Sequence, residues 1–157
     1  MTQLYQQLIL EHSKTPTGRV AKGELEGANS HGLNIGTSHQ VNPTCGDEIT
    51  LVAKFEGDKI ADIIWEGQGC AISQASASVM TDMAIGQTAT QVTDDNLLFH
   101  ELMHSRGAGL TDPQAIEQLG DAVAFTGVSQ YPARIKCALL GWEALRAAIH
   151  QAQLKGE

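Results

Sequence analysis

Positive charge is scarce in this chain. Ten Lys and Arg stand against eighteen Asp and Glu, the formal net charge is −8, and the cations form no basic run. Phosphate backbones are bound by clustered Lys and Arg, so no nucleic-acid partner is expected. Long apolar runs are missing as well. None approaches the roughly 20 residues that span a bilayer, so no membrane association is expected. The segment from Met1 to Leu10 lacks a basic start and carries three glutamines, which does not read as a signal peptide. The expected location is cytoplasmic.

Aromatic residues make up only 4% of the chain, so the core must be aliphatic and alanine-rich. Cysteine occurs three times, and no Cys-x-x-Cys pair is present. In the cytosol three thiols point to metal ligation or reactivity rather than a disulfide framework, and an odd number leaves at least one unpaired.

What is there suffices for an ordinary core. The 157 residues, 42% hydrophobic before glycine is counted, have the size of one domain spanning 1–157. The negative charge is spread along the chain and reads as solubility, not as an acidic tail. Leu4, Tyr5, Leu8, Ile9 and His12 recur at helical spacing behind Thr2 as N-cap, and Pro16 and Gly18 stop that helix. Residues 19–40 are weakly patterned. They support a strand within 28–41, with His31 and His39 as solvated residues.

Ile49, Leu51, Ala53 and Phe55 alternate with Thr50, Val52 and Lys54, which predicts a strand with one apolar face. Residues 59–66, with Ile60, Ile63, Ile64 and Trp65, predict a second. Glu56-Gly57-Asp58 turns one into the other as an antiparallel hairpin. Helical patterns follow from Cys70 to a stop at Gly86, over 94–104, over 112–119 with Asp112 as cap and Pro113 at the first position, and from Pro132 to about 153. Sheet early and helices late give an α+β fold, a small antiparallel β-sheet packed against helices.

The three thiols have distinctive settings. Cys45 and Asp47 share the turn Asn42-Pro43-Thr44-Cys45-Gly46-Asp47 at the entrance of the hairpin, and Cys70 follows Gly67-Gln68-Gly69 at its exit. A hairpin brings its ends together, so these two cysteines are expected as neighbours. Cys70 opens a helix, where free N–H groups and the positive dipole end favour a thiolate. Cys137 lies early in the last helix, beside Lys136 and one turn after Arg134, two cations that would hold a thiol pKa down. Three thiolates and the Asp47 carboxylate would complete a tetrahedral zinc site, and the same donors could hold an iron–sulfur cluster. The ligand set would leave a charge of about −2 around zinc, which Arg134 and Lys136 are near enough in sequence to offset. The alternative is that Cys70 and Cys137 are small buried hydrophobes on helices.

A competing motif is His100-Glu101-Leu102-Met103-His104, the His-Glu-x-x-His pattern of zinc peptidases on a predicted helix. Gly107 follows at the metzincin position, but Leu110 stands where that pattern needs a third histidine. Neither Glu117 nor Glu143 sits in a recognisable third-ligand motif. The alternative is a solvated helix face opposite Leu97, Leu98 and Leu102.

Three motifs occur in order: residues 42–47; Gly67-Gln68-Gly69-Cys70-Ala71-Ile72-Ser73 running on through Ser78; and Tyr131-Pro132-Ala133-Arg134-Ile135-Lys136-Cys137-Ala138-Leu139-Leu140. Together with Leu4-Tyr5, Glu11-His12 and Pro16 at the start, they resemble the SufU family, within the iron–sulfur scaffold group of IscU and the N-terminal part of NifU. The resemblance covers nearly the whole chain. It implies the SufE/NifU (IscU-like) fold and a metal site from Cys45, Asp47, Cys70 and Cys137. IscU scaffolds carry histidine just before the third cysteine, whereas this chain has Lys136, as SufU proteins do. A protonated lysine has no lone pair for a metal. The segment around 94–119 looks like the SufU insertion.

The resemblance therefore implies a zinc-dependent sulfur acceptor, a sulfurtransferase-like partner of a SufS-like cysteine desulfurase rather than a stand-alone enzyme. Zinc would hold the thiolates, and ligand exchange at the partner's surface would free one to attack the persulfide. Cys45, on a turn, is the expected acceptor, and Arg134 a candidate contact for the partner or the persulfide, with a plain surface cation as its alternative. The other reading is a scaffold on which a 2Fe–2S cluster is built and passed on. Other Suf assembly proteins would be further partners.

Overall fold

Helix α1 (Gln3–Lys14) leads into three strands, β1 (Asn34–Asn42), β2 (Asp47–Glu56) and β3 (Lys59–Gln68), which form one antiparallel sheet in the order β1-β2-β3. Helices α2 (Ala71–Ala84), α3 (Ala89–Met103), α4 (Pro113–Leu119) and α5 (Pro132–Lys155) follow, with a run of 3-10 turns (Gly120–Gln130) between the last two. The structure is a computed structural model and describes residues 3–27 and 34–155. Thr2, His31 and the first part of the 28–41 strand expectation lie outside the described residues. His39 is an exposed residue of β1 whose ring bonds Thr50.

The alternation read in β2 sets the sheet's two faces. Ile49, Leu51, Ala53 and Phe55 are buried, and so is Asp47 at the head of the same row. Across the ladder Leu51 stands opposite Ser38 and Trp65, and Ala53 opposite Gly36 and Ile63. Helix α5 lies on this face so closely that a Cβ on Gly36 would overlap the Ala148 carbonyl oxygen and come within 3.1 Å of the Ala152 Cβ. Ala144, Ala148 and Ala152, successive i, i+4 positions on one side of the helix, are buried there. Larger side chains would lift the helix off the strand. This is the physical reason for the alanine-rich core.

Helix α2 is locked to α5 by similar means. A Cβ on Gly141 would stand 3.0 Å from the Ala77 Cβ. The buried Ser76 hydroxyl donates to Ala138 O at 2.6 Å and accepts from Trp142 Nε1 at 3.1 Å. The few aromatics are concentrated beside this joint. Phe99 stacks on Trp142 at 4.4 Å and meets Phe125 edge-on at 6.0 Å, tying α3 and the 3-10 run to α5.

Two expectations are corrected. Helix α3 starts at Ala89, more than a turn before residue 94, because Thr88 and Gln91 form a reciprocal capping box: Gln91 N donates to Thr88 Oγ1 at 3.1 Å and Thr88 N to Gln91 Oε1 at 2.9 Å. Leu97 is 66% exposed and does not belong to the core face. Among the described residues no helix is long and apolar enough to cross a membrane.

Candidate metal and sulfur site

The site is built where β1 turns into β2. Asn42 ends β1 and pairs with Asp47, the first residue of β2. The Asn42 carbonyl accepts from Cys45 N at 3.3 Å and from Gly46 N at 2.9 Å. Gly46 takes φ +73°, a left-handed conformation that glycine adopts without steric cost. Cys45 is thereby left exposed, while Asp47 turns inward and is 1% exposed.

The other end of the hairpin returns to the same place. Gln68 pairs with Glu48, and Gly69 then passes directly over Asp47. A Cβ on Gly69 would overlap Asp47 Oδ1 and come within 2.7 Å of Ser73 Oγ. Cys70 N donates to Asp47 Oδ1 at 3.0 Å. Cys70 is the N-cap residue of α2, in extended conformation, and its side chain caps nothing. It is exposed, so it is not a buried hydrophobe, and exposure alone does not separate it from Cys45. Ser73 Oγ donates to Cys70 O at 2.9 Å and lies 3.9 Å from its sulfur.

Cys137 arrives on α5. Its sulfur is buried, 3.7 Å from Ala133 O and 3.8 Å from Asn42 Nδ2. Ligand atoms of Cys45, Asp47 and Cys137 all lie within 4.8 Å of one another. Among the described residues no other three His, Cys, Asp or Glu side chains are grouped so closely. Cys70 falls outside that limit but is near enough to act on Cys137 electrostatically.

The Cys137 thiol is pushed far above its ordinary value, first by burial, then by the nearby Asp47 carboxylate and Cys45 sulfur and by the charge of Cys70. This reverses the effect expected from Arg134 and Lys136. Both are exposed and carry no ion-pair partner among the described residues, so sequence proximity does not become local compensation. Asp47 Oδ2 is buried without a hydrogen-bond partner. A buried carboxylate oxygen in that state costs several kcal/mol by order of magnitude unless a cation or donor meets it. Soft sulfurs crowded around a free anionic oxygen are a donor set that suits zinc.

The remaining sequence candidates lie elsewhere. His100 gives Nε2 to Glu143 Oε1 at 2.6 Å and Nδ1 to Asn96 O at 3.0 Å, so both ring nitrogens are occupied. His104 caps α3, with its ring on the His100 carbonyl. The His-Glu-x-x-His match is thus a set of helix-end contacts, and the half-buried His100 belongs to the α3–α5 joint rather than to a fully solvated face. His12 bonds the buried Ser78 hydroxyl at 2.6 Å and ties α1 to α2. A cleft of about 590 Å³ opens between Arg19 and Lys22 on one side and His39, Glu48 and Glu66 on the sheet's other face, and none of the three thiols lines it. Asn42 and Ser73 are polar neighbours of the sulfurs that the sequence reading passed over. Both lie inside the motifs already noted, Ser73 at i+3 from Cys70.

Comparison with known proteins gives the class first. The family model described as the NifU-like N terminal domain matches residues 4–138. The chain belongs to this family of iron–sulfur cluster assembly proteins, which includes IscU and SufU. It is 40% identical over 149 residues to the iron–sulfur cluster assembly scaffold protein IscU of Streptococcus pyogenes, covering 95% of this chain and 84% of the relative. It is 40% identical over 146 residues to the zinc-dependent sulfurtransferase SufU of Bacillus subtilis, covering 93% and 89%. A crystal structure of a candidate iron–sulfur cluster assembly scaffold protein for the SUF system, from Fervidobacterium islandicum, superposes with a TM-score of 0.70 at 34% identity, covering 91% of this chain and 94% of that one.

Proposed function

We propose that this protein is a zinc-dependent sulfur acceptor in iron–sulfur cluster assembly, loaded by a SufS-like cysteine desulfurase. The observation that carries the reading is the buried, partnerless Asp47 Oδ2 beside Cys45 and Cys137, with Cys45 the exposed sulfur of that group. The similarity to a relative named as a zinc-dependent sulfurtransferase supports it, as does Lys136 before the third cysteine. Cys45, Asp47, Cys70 and Cys137 would hold the metal. Bound zinc would supply the positive charge that keeps the sulfurs as thiolates near neutral pH.

The chain's own residues do the rest. The Cys70 N–H holds one oxygen of Asp47 and leaves the other for the metal. Cys45, on its exposed turn, meets the partner's persulfide. Its thiolate attacks the terminal sulfur, the sulfur–sulfur bond of the donor breaks, and the partner's cysteine leaves as thiolate. A new sulfur–sulfur bond now sits on Cys45, and no outside oxidant is required. Cys137 is 3% exposed and is not reached by a protein-borne persulfide. Arg134, exposed on the first turn of α5, would contact the partner or the persulfide.

The test is anaerobic incubation of the zinc-loaded protein with a desulfurase, its pyridoxal phosphate and cysteine, followed by mass spectrometry of intact protein and peptides. One added sulfur on Cys45, lost in Cys45→Ser, is the expected result. A wild-type chain that binds about one zinc yet takes up no sulfur would end the acceptor reading. A second reading, a scaffold that builds a 2Fe–2S cluster on the same residues and hands it to other Suf assembly proteins, is favoured by the equal identity to the IscU relative. It predicts a cysteine-dependent cluster absorption band after anaerobic reconstitution with iron and sulfide.

A further inference from the structure

We infer that Asn42 is a positioning residue that makes the sulfurs unequal: it holds Cys137 in place as the resident ligand and leaves Cys45 as the one that departs and reacts. The inference rests on the metal-site reading above. Asn42 is 5% exposed and touches both cysteine-bearing elements of the 4.8 Å group. Its main-chain carbonyl closes the turn that carries Cys45, through Cys45 N and Gly46 N. Its side-chain amide donates to Cys137 Sγ at 3.8 Å.

The chemistry of that contact has a direction. A buried amide N–H requires an acceptor, and a neutral thiol is a weak one. A thiolate is a strong one, since hydrogen bonds to an ionised acceptor are roughly twice as strong as neutral pairs. The Asn42 amide is therefore matched to Cys137 in its anionic, metal-holding form. An aspartate of the same shape would instead add another negative charge beside the thiols and Asp47. An N–H bond to sulfur withdraws electron density from it and makes it less basic and less nucleophilic.

Cys45 has no such donor among the described residues. The Ala133 carbonyl oxygen, which can only accept, lies 4.0 Å from its sulfur and 3.7 Å from that of Cys137, so this acceptor is common to both and the Asn42 amide is what separates them. The hydroxyl nearest to Cys70, that of Ser73, is already committed to the Cys70 carbonyl. Of the three sulfurs, then, only Cys137 receives a side-chain N–H, and the same residue fixes where Cys45 sits relative to it. Partners of this kind behind a metal ligand typically change metal affinity by about 10- to 100-fold.

The experiment uses the full-length zinc-loaded protein, with Asn42→Asp and Asn42→Ala as variants; both keep the main-chain carbonyl. Each is read by competition with a chelator, by the sulfur-to-metal charge-transfer band of the cobalt-substituted form, and by peptide mapping of limited alkylation. Wild type should be alkylated at Cys45 well before Cys137. In both variants the metal affinity should fall by at least about 10-fold, the band should shift, and the preference for Cys45 over Cys137 should shrink severalfold. Unchanged affinity, band and alkylation order would overturn the inference. If neither variant folds, the cadmium-substituted wild type decides: coupling between the Asn42 side-chain amide protons and the metal supports the bond, and no coupling overturns it. A wild type that binds no metal refutes the underlying site reading, which is a separate outcome.

Discussion

Asp47 and Cys70 are joined by one hydrogen bond that divides the carboxylate into two unlike oxygens. Oδ1 accepts from the Cys70 N–H at 3.0 Å, and Oδ2 is buried with no partner. The proposed metal would take the second oxygen. Asp47→Asn replaces one oxygen by an N–H2 group that cannot ligate. Zinc affinity should fall by at least about 10-fold, measured by competition with a chromophoric chelator. The metal-free variant should retain the far-ultraviolet circular dichroism of wild type.

Gly69→Ala attacks the same pair from the backbone side. The new methyl would overlap Asp47 Oδ1 and crowd Ser73 Oγ at 2.7 Å, so either the carboxylate or the start of α2 must move. The expected cost is about 1–3 kcal/mol, the usual price of overpacking a filled site. Denaturant unfolding of the metal-free protein reads that cost, and a chelator titration should show weaker zinc binding alongside it.

His100→Gln is the complementary control. His100 is held by Glu143 and Asn96, and it lies outside the thiol group. Zinc content should match wild type, and stability should drop by no more than about 1 kcal/mol, because the pair with Glu143 is part-exposed and screened. A marked loss of bound metal in this variant would reopen the peptidase reading.

Asp95 supplies a pH dependence. It is 3% exposed, accepts from Gln118 Nε2 at 2.7 Å and has its pKa raised, chiefly by burial and further by Asp94, against the lowering effect of the Gln118 bond. The folded state therefore holds this proton more tightly than the unfolded state. The associated stabilisation is present below the ordinary carboxylate range and is lost as pH rises through the raised value. Asp95→Asn removes that slope while keeping an acceptor for Gln118. The variant should gain on wild type as pH rises from 4 toward neutrality in urea unfolding, with a Tm a few degrees higher at pH 7, the shift expected for about 1 kcal/mol in a chain of this size.

Much of this architecture was legible from local signals. The hairpin was announced by alternation from Ile49 to Phe55 around a glycine turn, and α5 by Pro132 and its helical apolar spacing. The 3-10 run was not, because Ala122, Phe125 and Val128 recur every third residue over only two turns, too short a pattern to stand out, and the run is fixed by packing such as Phe125 on Phe99. Helix α3 was entered late because its capping box lies in a polar stretch, ahead of the apolar pattern. At the site, the meeting of Cys45 with the region of Cys70 follows from hairpin geometry. The arrival of Cys137 does not. It depends on α5 settling onto β1 at Gly36 and Ala148, a contact between residues far apart in sequence. The electrostatic reading failed for another reason: Arg134 and Lys136 are sequence neighbours of Cys137 but stay exposed, while its own sulfur is buried.

The turn that bears Cys45 is mounted differently from its companions. Asp47 is fixed in the β1–β2 ladder and Cys137 in a long helix pressed against the sheet, whereas the Cys45 turn is secured by two main-chain bonds to a single carbonyl, and a Cβ on Gly46 would meet nothing within 4 Å. Releasing those two bonds costs about 1–3 kcal/mol, while displacing Asp47 means unzipping the end of a strand. The assembly is in effect a rigid jaw with one sprung finger. A pull on the site would be absorbed at Cys45, and the frame that sets the positions of Asp47 and Cys137 would keep its shape.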